Sequence, residues 1–316
     1  MDRIPAELKH DAIRLLQFLV HSRPLKLAEA KEVIATQVQN ESQGFDIKRR
    51  LFHETNILEY CPGLITVVHA TKELHLAHFS VKEYLLKEDQ FEMTIASFSI
   101  ARTCLTYLTD IKSSHSEIRE DFPMAIYAAE MWPRHAISAQ ALEDMVQMAV
   151  EFIENEATFQ RWTALWQPYE PLRNFRGGPK ASRLYYASLN GLMAPACDLI
   201  GKGVDVNAQG GYFGNALQAA SFHGHSDTVQ MLMEKGANVN AQGGHHGNAL
   251  QAASLCGHSD TVQMLIEKGA DANTQGGFYG NALQAASSRG HSGIIQMLME
   301  KGADVNTQGG GYSNAL

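Results

Sequence analysis

The sequence predicts a mostly α-helical protein whose C-terminal third is an α-solenoid of stacked units. The segment 214–246 returns as 247–279 with 8 of 33 positions different and 25 identical, and it returns again from Gly280. Apolar residues at helical spacing fill most of the remaining chain, which otherwise shows one hairpin pattern, between residues 64 and 78. A fixed period of this length indicates supersecondary units that bury their apolar faces on one another.

Length and composition set the class of protein. The 316 residues leave room for two or three domains, with 45% hydrophobic and 19% charged residues and a net charge of −8. No run reaches the roughly 18 apolar residues of a membrane span, so we expect no membrane partner. The four cysteines are scattered without a C-x-x-C pair, which favours a reducing compartment, the cytoplasm or the nucleus, and suggests neither disulfides nor zinc.

The first 88 residues predict three helices, a hairpin and a fourth helix. The helices are expected at 6–20, from Leu27 to about Val38, and at 56–60; the strands at 64–68 and 74–78. Ser80 and Glu83 form an S-x-x-E capping box that opens the fourth helix. This order is a winged-helix layout for 1–88, followed by a helical domain at 89–167 and a proline- and glycine-rich linker at 168–180.

Each repeat predicts two short helices. Asn215 is a good N-cap for the first, and Gly224 suits its left-handed stop. Ser226 and Asp227 are expected to cap and charge the start of the second, which ends at Gly236. The array at 181–316 holds about four units: a degenerate first unit at 181–213, three further copies, and a truncated start after them.

The repeat resembles the ankyrin repeat. Asn215-Ala216-Leu217-Gln218 stands where that family has T-P-L-H, and Gly224-His225 and Gly236-Ala237-Asn238-Val239-Asn240 match its turns. The variant with a Gly-Gly turn looks like the ankyrin arrays of filamentous fungi. The resemblance implies a winged-helix plus helical domain followed by an ankyrin-repeat α-solenoid, and a protein ligand on its concave face.

A second resemblance covers 1–166. It rests on Arg23 to Ala30, Cys61 to Leu64, Leu76 to Leu85, Ile100 to Leu108 and Pro123 to Ala136. These stretches resemble the GPI inositol-deacylase-type winged helix that follows the NACHT nucleotide-binding domain in fungal STAND (NLR-like) signalling proteins. The resemblance implies a sensor and regulatory half, with a NACHT domain as a partner that is missing from this sequence.

Nucleotide chemistry is not expected of the chain alone. The 316 residues contain no G-x-x-x-x-G-K-[ST] phosphate loop, so we expect a piece of a larger architecture, with no cofactor. The resemblance implies that His78 is a switch residue that touches nucleotide phosphates and holds the off state. The alternative is a half-buried strand histidine satisfied by local contacts.

Other chemistries are disfavoured. His225, His258 and His291 recur with the period, which predicts a structural role in which the ring bridges turn amides of neighbouring units, since a metal would need ligands within about 2.1 Å. No nucleophile, base and acid stand together, so we expect no enzyme. Residues 1–85 hold 11 Lys/Arg and 11 Asp/Glu, which argues against a nucleic acid partner.

The candidate protein-binding residues are those that the near-identical repeats do not share. One group lies at the end of the first helix and the other in the turn before the next unit, and we predict that they form an exposed ribbon with no packing role, so that serine at 212, 213, 278 and 279 would leave the melting temperature unchanged. The alternative is neutral drift at solvent positions. The predicted ribbon consists of Phe222, His223, Leu255, Cys256, Ser288 and Arg289 at the helix ends, and Tyr212, Phe213, His245, His246, Phe278 and Tyr279 in the turns.

Three functions remain open from the sequence. The favoured one is a non-enzymatic recognition module, the sensor half of a STAND-type signalling protein. The second is a free-standing ankyrin scaffold or adaptor, and the third is a DNA-binding winged-helix regulator.

Overall fold

The computed structural model describes residues 4–38, 44–51, 56–112, 115–166, 181–307 and 309–311. The chain forms two compact units, Met1–Gln167 and Pro168–Leu316, each described here by itself. The predicted linker at 168–180 and the truncated repeat start at 313–316 lie outside the described residues. Every helix in the described ranges is too short or too polar to cross a bilayer.

The first unit begins with a winged helix. A three-stranded antiparallel sheet of order β1-β5-β4 packs with the helices, and Leu25 pairs with Leu74 while Ile65 pairs with Leu76. The predicted hairpin is confirmed, and the sheet gains a strand from 25–26 that the sequence analysis missed. The elements are α1 (Lys9–His21), β1 (Leu25–Lys26), α2 (Leu27–Ala35), β2 (Thr36–Gln37), β3 (Gly44–Phe45), α3 (Ile57–Tyr60), β4 (Ile65–Val68), β5 (Glu73–Leu76) and α4 (Phe79–Leu85).

Two predicted boundaries in this unit were wrong. The second helix ends at Ala35 instead of near Val38, because Thr36 and Gln37 pair with Phe45 and Gly44 as β2 and β3. Helix α4 begins at Phe79, with His78 instead of Ser80 as its N-cap. The His78 imidazole does what the serine hydroxyl was expected to do: Nδ1 accepts from the Ser80 amide at 3.2 Å.

Five helices continue the first unit around an aromatic core. Trp132 and Trp162 are fully buried, with ring centroids 4.9 Å apart, and Phe152 lies 5.3 Å from Trp132. The Trp162 indole donates to the Ala129 carbonyl at 3.0 Å, which satisfies its polar atom. The helices are α5 (Met93–Asp110), α6 (His115–Asp121), α7 (Ala125–Ser138), α8 (Glu143–Glu154) and α9 (Glu156–Leu165).

Buried polar pairs tie the winged helix to these helices. Glu32 of α2, only 2% exposed, accepts from the Tyr107 hydroxyl of α5 at 2.8 Å and from Arg50 at 3.0 Å. The Arg50 guanidinium lies over the rings of Phe45 and Phe122, at 5.5 and 5.3 Å. The charge of Glu32 is therefore compensated where water does not reach it.

The described residues of the second unit form four helix pairs. Asn215, Asn248 and Asn281 each cap a first helix by accepting from the amide of the glutamine three residues on, at 2.8–2.9 Å, as predicted. The second helices begin with His225, His258 and His291 as N-caps instead of the predicted Ser226 position. The pairs are α10 (Arg183–Leu189) with α11 (Met193–Gly201), α12 (Ala216–His223) with α13 (Ser226–Glu234), α14 (Ala249–Cys256) with α15 (Ser259–Glu267), and α16 (Ala282–Arg289) with α17 (Ser292–Glu300).

The recurring histidines hold successive units together, as predicted, although through different atoms. His225 Nε2 donates to the Leu189 carbonyl at 3.1 Å, His258 to Phe222 at 3.0 Å and His291 to Leu255 at 3.1 Å. Their partners are carbonyls at the first-helix ends of the preceding unit, where the sequence analysis expected turn amides. Helix-end carbonyls need such donors because they have no partner within the helix.

Asparagine and glutamine side chains tie each unit to the one that follows. Asn240 Nδ2 donates to the Gly269 carbonyl at 2.9 Å. Gln251 Nε2 donates to the carbonyls of Thr274 and Gly280 at 3.1 and 3.0 Å, and Gln251 Oε1 accepts from the Asn248 amide at 3.0 Å. One buried glutamine thus caps its own helix and fastens the next turn.

We predict that Gln251→Ala destabilises the array by about 1–3 kcal/mol, because it leaves the buried partners of its side chain unsatisfied. The matched control is Gln263→Ala, an exposed glutamine of the same unit that bonds Glu267. Urea unfolding followed by hydrogen exchange of peptides from 247–291 measures both variants. Equal losses for the two would show that the ties between units do not stabilise the array.

Candidate protein-binding site

The turns between units form a continuous row. The His245 amide donates to the Tyr212 carbonyl at 2.9 Å, the Phe278 amide to His245 at 2.9 Å, and the Gly311 amide to Phe278 at 2.7 Å. Gly244 makes this approach possible: its φ is +62°, and a Cβ there would collide with the backbone of Phe213. The second glycine of the turn, which is Gly244, Gly277 or Gly310, is therefore required by the stacking of one turn on the next.

The first residues of the turn pairs stack into one column, here called the outer stack: Tyr212, His245 and Phe278. Ring centroids are 5.0 Å apart for Tyr212 and His245, and 5.2 Å for His245 and Phe278, with planes within 19° of parallel. Phe278 is 46% exposed and the other two are half-buried. Burial raises the pKa of Tyr212 to about 12 and lowers that of His245. The outer stack presents ring edges and faces to solvent.

The second residues of the pairs, Phe213, His246 and Tyr279, form the inner stack together with Tyr185 of α10. Successive centroids are 6.4, 5.6 and 6.0 Å apart, with planes within 28° of parallel. Phe213 is fully buried and His246 is 5% exposed. The prediction that all turn positions are exposed and free of packing roles was therefore wrong for Phe213 and His246, whose rings fill the space between units. Serine at 213 would leave a cavity.

The helix-end group adjoins the turns. The Phe222 ring lies 4.5 Å from Phe213 and 4.9 Å from His246, and the His223 ring lies 6.0 Å from Phe213. The two groups singled out in the sequence thus meet on one surface in this unit.

Exposure separates the helix-end residues into two kinds. Leu255 is buried at 5%, against expectation, because it packs inside the stack of first helices. Phe222, His223 and Cys256 are half-buried, and Ser288 and Arg289 are exposed. Burial raises the pKa of the Cys256 thiol to about 11, although nearby Arg289 opposes this. The solvent-facing members therefore become more polar toward the last unit.

Tyr185 is a site residue that the sequence analysis missed. It lies 33 residues before Gln218 and so takes the place of the recurring glutamine in the first unit. Its hydroxyl accepts from the Phe213 amide at 3.3 Å, and its ring starts the inner stack. The sequence did contain a signal for Tyr185, because a tyrosine stands there in place of the glutamine that recurs as Gln218, Gln251 and Gln284.

His78 is exposed at the start of α4, so its expected half-buried strand position was wrong, although the local contacts of that alternative are present. Nδ1 lies 2.8 Å from the Ser80 hydroxyl as well as accepting from the Ser80 amide, and the ring packs on Phe79 at 4.4 Å. With Nδ1 accepting, the neutral ring carries its proton on Nε2. The described residues include no group of three His, Cys, Asp or Glu side chains placed to hold a metal.

His246 makes the array sensitive to acid. Its ring lies between aromatic rings, neither of its nitrogens has a hydrogen-bond partner among the described residues, and burial lowers its pKa from 6.5 to about 4. Above pH 6.5 the ring is neutral in both folded and unfolded states. Between pH 6.5 and 4 the unfolded chain takes up a proton that the folded chain does not, so stability falls as the pH falls.

We predict that His246→Phe, which copies the residue at 213, makes the free energy of unfolding less dependent on pH. Between pH 6.5 and 4 the variant should lose up to about 3 kcal/mol less stability than the parent. The pH dependence of the unfolding free energy of the array measures it, and Phe213→Leu serves as a control that weakens packing without removing a titrating group. An unchanged pH slope for His246→Phe would contradict the prediction.

Comparisons with known proteins agree with this architecture. Residues 184–276 and 248–309 match the family model of ankyrin repeats, with three copies, and residues 2–101 match the GPI inositol-deacylase winged helix domain. Azaphilone pigments biosynthesis cluster protein L of Monascus ruber is 32% identical over 247 residues, which are 65% of this chain and 51% of that protein. The chain thus spans about half the length of this curated relative. The present chain is a mostly α-helical protein with a GPI inositol-deacylase-type winged helix domain followed by ankyrin repeats. The ankyrin repeats make it a protein-interaction module.

Proposed function

We propose that the chain is a non-enzymatic recognition module that binds a protein ligand through the outer stack and the exposed helix ends. The observation that carries this proposal is where the repeats differ. Of the 8 positions that distinguish 214–246 from 247–279, four are the helix-end and turn pairs, and these meet on one surface through Phe213, Phe222 and His246. Exposed Tyr, Phe and Arg side chains supply most of the binding energy in protein interfaces.

Burial divides the candidate residues into those that pack between units and those that can contact a ligand. Phe213, His246 and Leu255 hold the units together, so their contribution to binding is to position the others. Tyr212, Phe278 and Arg289 reach solvent and are the proposed contact residues. A ligand that covers them would reach from the first unit to the fourth, because Tyr212 lies in 181–213, Phe278 in 247–279 and Arg289 in 280–312.

We further infer that the chain is the sensor and regulatory half of a STAND-type protein of fungal origin, with a NACHT domain as partner of its winged helix. The winged helix match at residues 2–101 and the relative from Monascus ruber support this inference. The exposed Nε2 side of His78 is suited to donate to a phosphate oxygen, because its Nδ1 is already engaged by Ser80.

We expect the triple variant Tyr212→Ser, Phe278→Ser, Arg289→Ser to lose about tenfold or more in ligand affinity, since exposed aromatic and arginine anchors are removed. Its Tm should fall only modestly, because Phe278 and Arg289 are exposed and Tyr212 is half-buried. A matched control replaces Gln230, Lys268 and Met299, exposed residues of the second helices, with serine. Quantitative pull-down from host extract compares the two, and equal binding by both variants would rule out this surface.

The purified chain alone is expected not to bind ATP or ADP, because its 316 residues lack a phosphate loop. Isothermal titration calorimetry with each nucleotide tests this. Micromolar binding would contradict the assignment of nucleotide chemistry to a separate domain, and His78→Ala would then show whether that histidine takes part.

A further inference from the structure

Charge is distributed unequally between the two halves of each repeat. The segments 206–225, 239–258 and 272–291, which hold the turns and first helices, contain one charged residue, Arg289. The segments between them, 226–238, 259–271 and 292–304, contain ten: Asp227, Glu234, Lys235, Asp260, Glu267, Lys268, Asp271, Glu300, Lys301 and Asp304. The proposed binding surface therefore lies on the uncharged half.

The histidines of this half do not restore a charge. His225 donates Nε2–H to the Leu189 carbonyl, which the neutral ring does equally well, and His223 and His246 are largely buried among rings. Burial lowers the pKa of His223 and His246 to about 4 and lowers that of His225 and His245. Burial therefore favours the neutral ring at these four positions.

A neutral surface of this kind selects against charged partners. An Asp or Glu side chain pressed against the outer stack would lose its water and find no opposite charge, and a Lys or Arg side chain would exchange its water for ring contacts alone. Aromatic and aliphatic side chains lose no such hydration and stack on Tyr212, His245 and Phe278. The exception is Arg289, for which the described residues provide no ion pair, so an acidic group is accepted at that end alone.

On the basis of the proposed function, we propose that the ligand presents an uncharged segment of apolar and aromatic residues to this surface, with an acidic group tolerated only at Arg289. Affinity then comes from burial and ring stacking, and it changes little with ionic strength. Specificity comes from exclusion of charged sequences together with shape.

The test is a display selection of random peptides of about 12 residues, which reach about 40 Å when extended, on the full chain. Peptides that also bind the triple serine variant at 212, 278 and 289 are discarded. We expect the remaining peptides to carry less than half of the roughly 25% charged residues of average sequences. Their affinity should change less than about twofold between about 50 and 500 mM sodium chloride.

Two further outcomes separate this inference from the function on which it rests. Surface-dependent peptides rich in Lys, Arg, Asp or Glu, with affinity that falls about tenfold in salt, would overturn the neutral-ligand inference and leave the recognition function standing. A selection that yields no surface-dependent peptide would overturn the proposed function and the inference with it. Arg289→Gln should reduce binding of the acidic peptides alone, and equal loss for all peptides would contradict the role given to that residue.

Discussion

The array depends on hydrogen bonds that cross from one unit to the next. Each unit after the first offers a histidine to a carbonyl of the unit before it and a glutamine to the turn that leads into the unit after it, as His258 and Gln251 show. Because Gln251 is buried and His258 half-buried, their partners would be poorly hydrated without them. These hydrogen bonds set the distance between successive turns, and that distance sets the separation of the rings in the outer and inner stacks.

A scaffold held this firmly leaves few positions free to vary. The inner stack shows how: Phe213 and His246 differ chemically, yet both serve as flat rings of the right thickness between units. The positions that differ between 214–246 and 247–279 and reach solvent include the outer stack and the last residues of the first helices, and also Asn238, which is Asp271 one unit later. In the compact unit formed by residues 1–167, the buried Glu32 has a comparable structural role. It joins α2 to α5 through its hydrogen bond with Tyr107, and it also bonds Arg50.

Local chemistry made much of the fold predictable. Asn215 and Gly224 act through their own backbone neighbours, so the repeat helices could be placed from sequence. Strands β1, β2 and β3 have two residues each, too short to show periodicity, and β1 pairs with a segment far along the chain, Leu25 with Leu74. The burial of Phe213, His246 and Leu255 is decided by the adjoining unit, and the cap at His78 by a ring rotamer. Sequence patterns carry neither kind of information.

The ties between units have translational symmetry. His258 donates to a carbonyl of the preceding unit, and His291 makes the same bond one period later. Asn240 and Asn273 likewise each donate to a glycine carbonyl of the following unit at 2.9 Å. Inserting or deleting a whole 33-residue unit inside the array restores every donor to an equivalent acceptor. The length of the repeat array can thus change in steps by gene duplication, with the hydrogen bonds between units restored on either side.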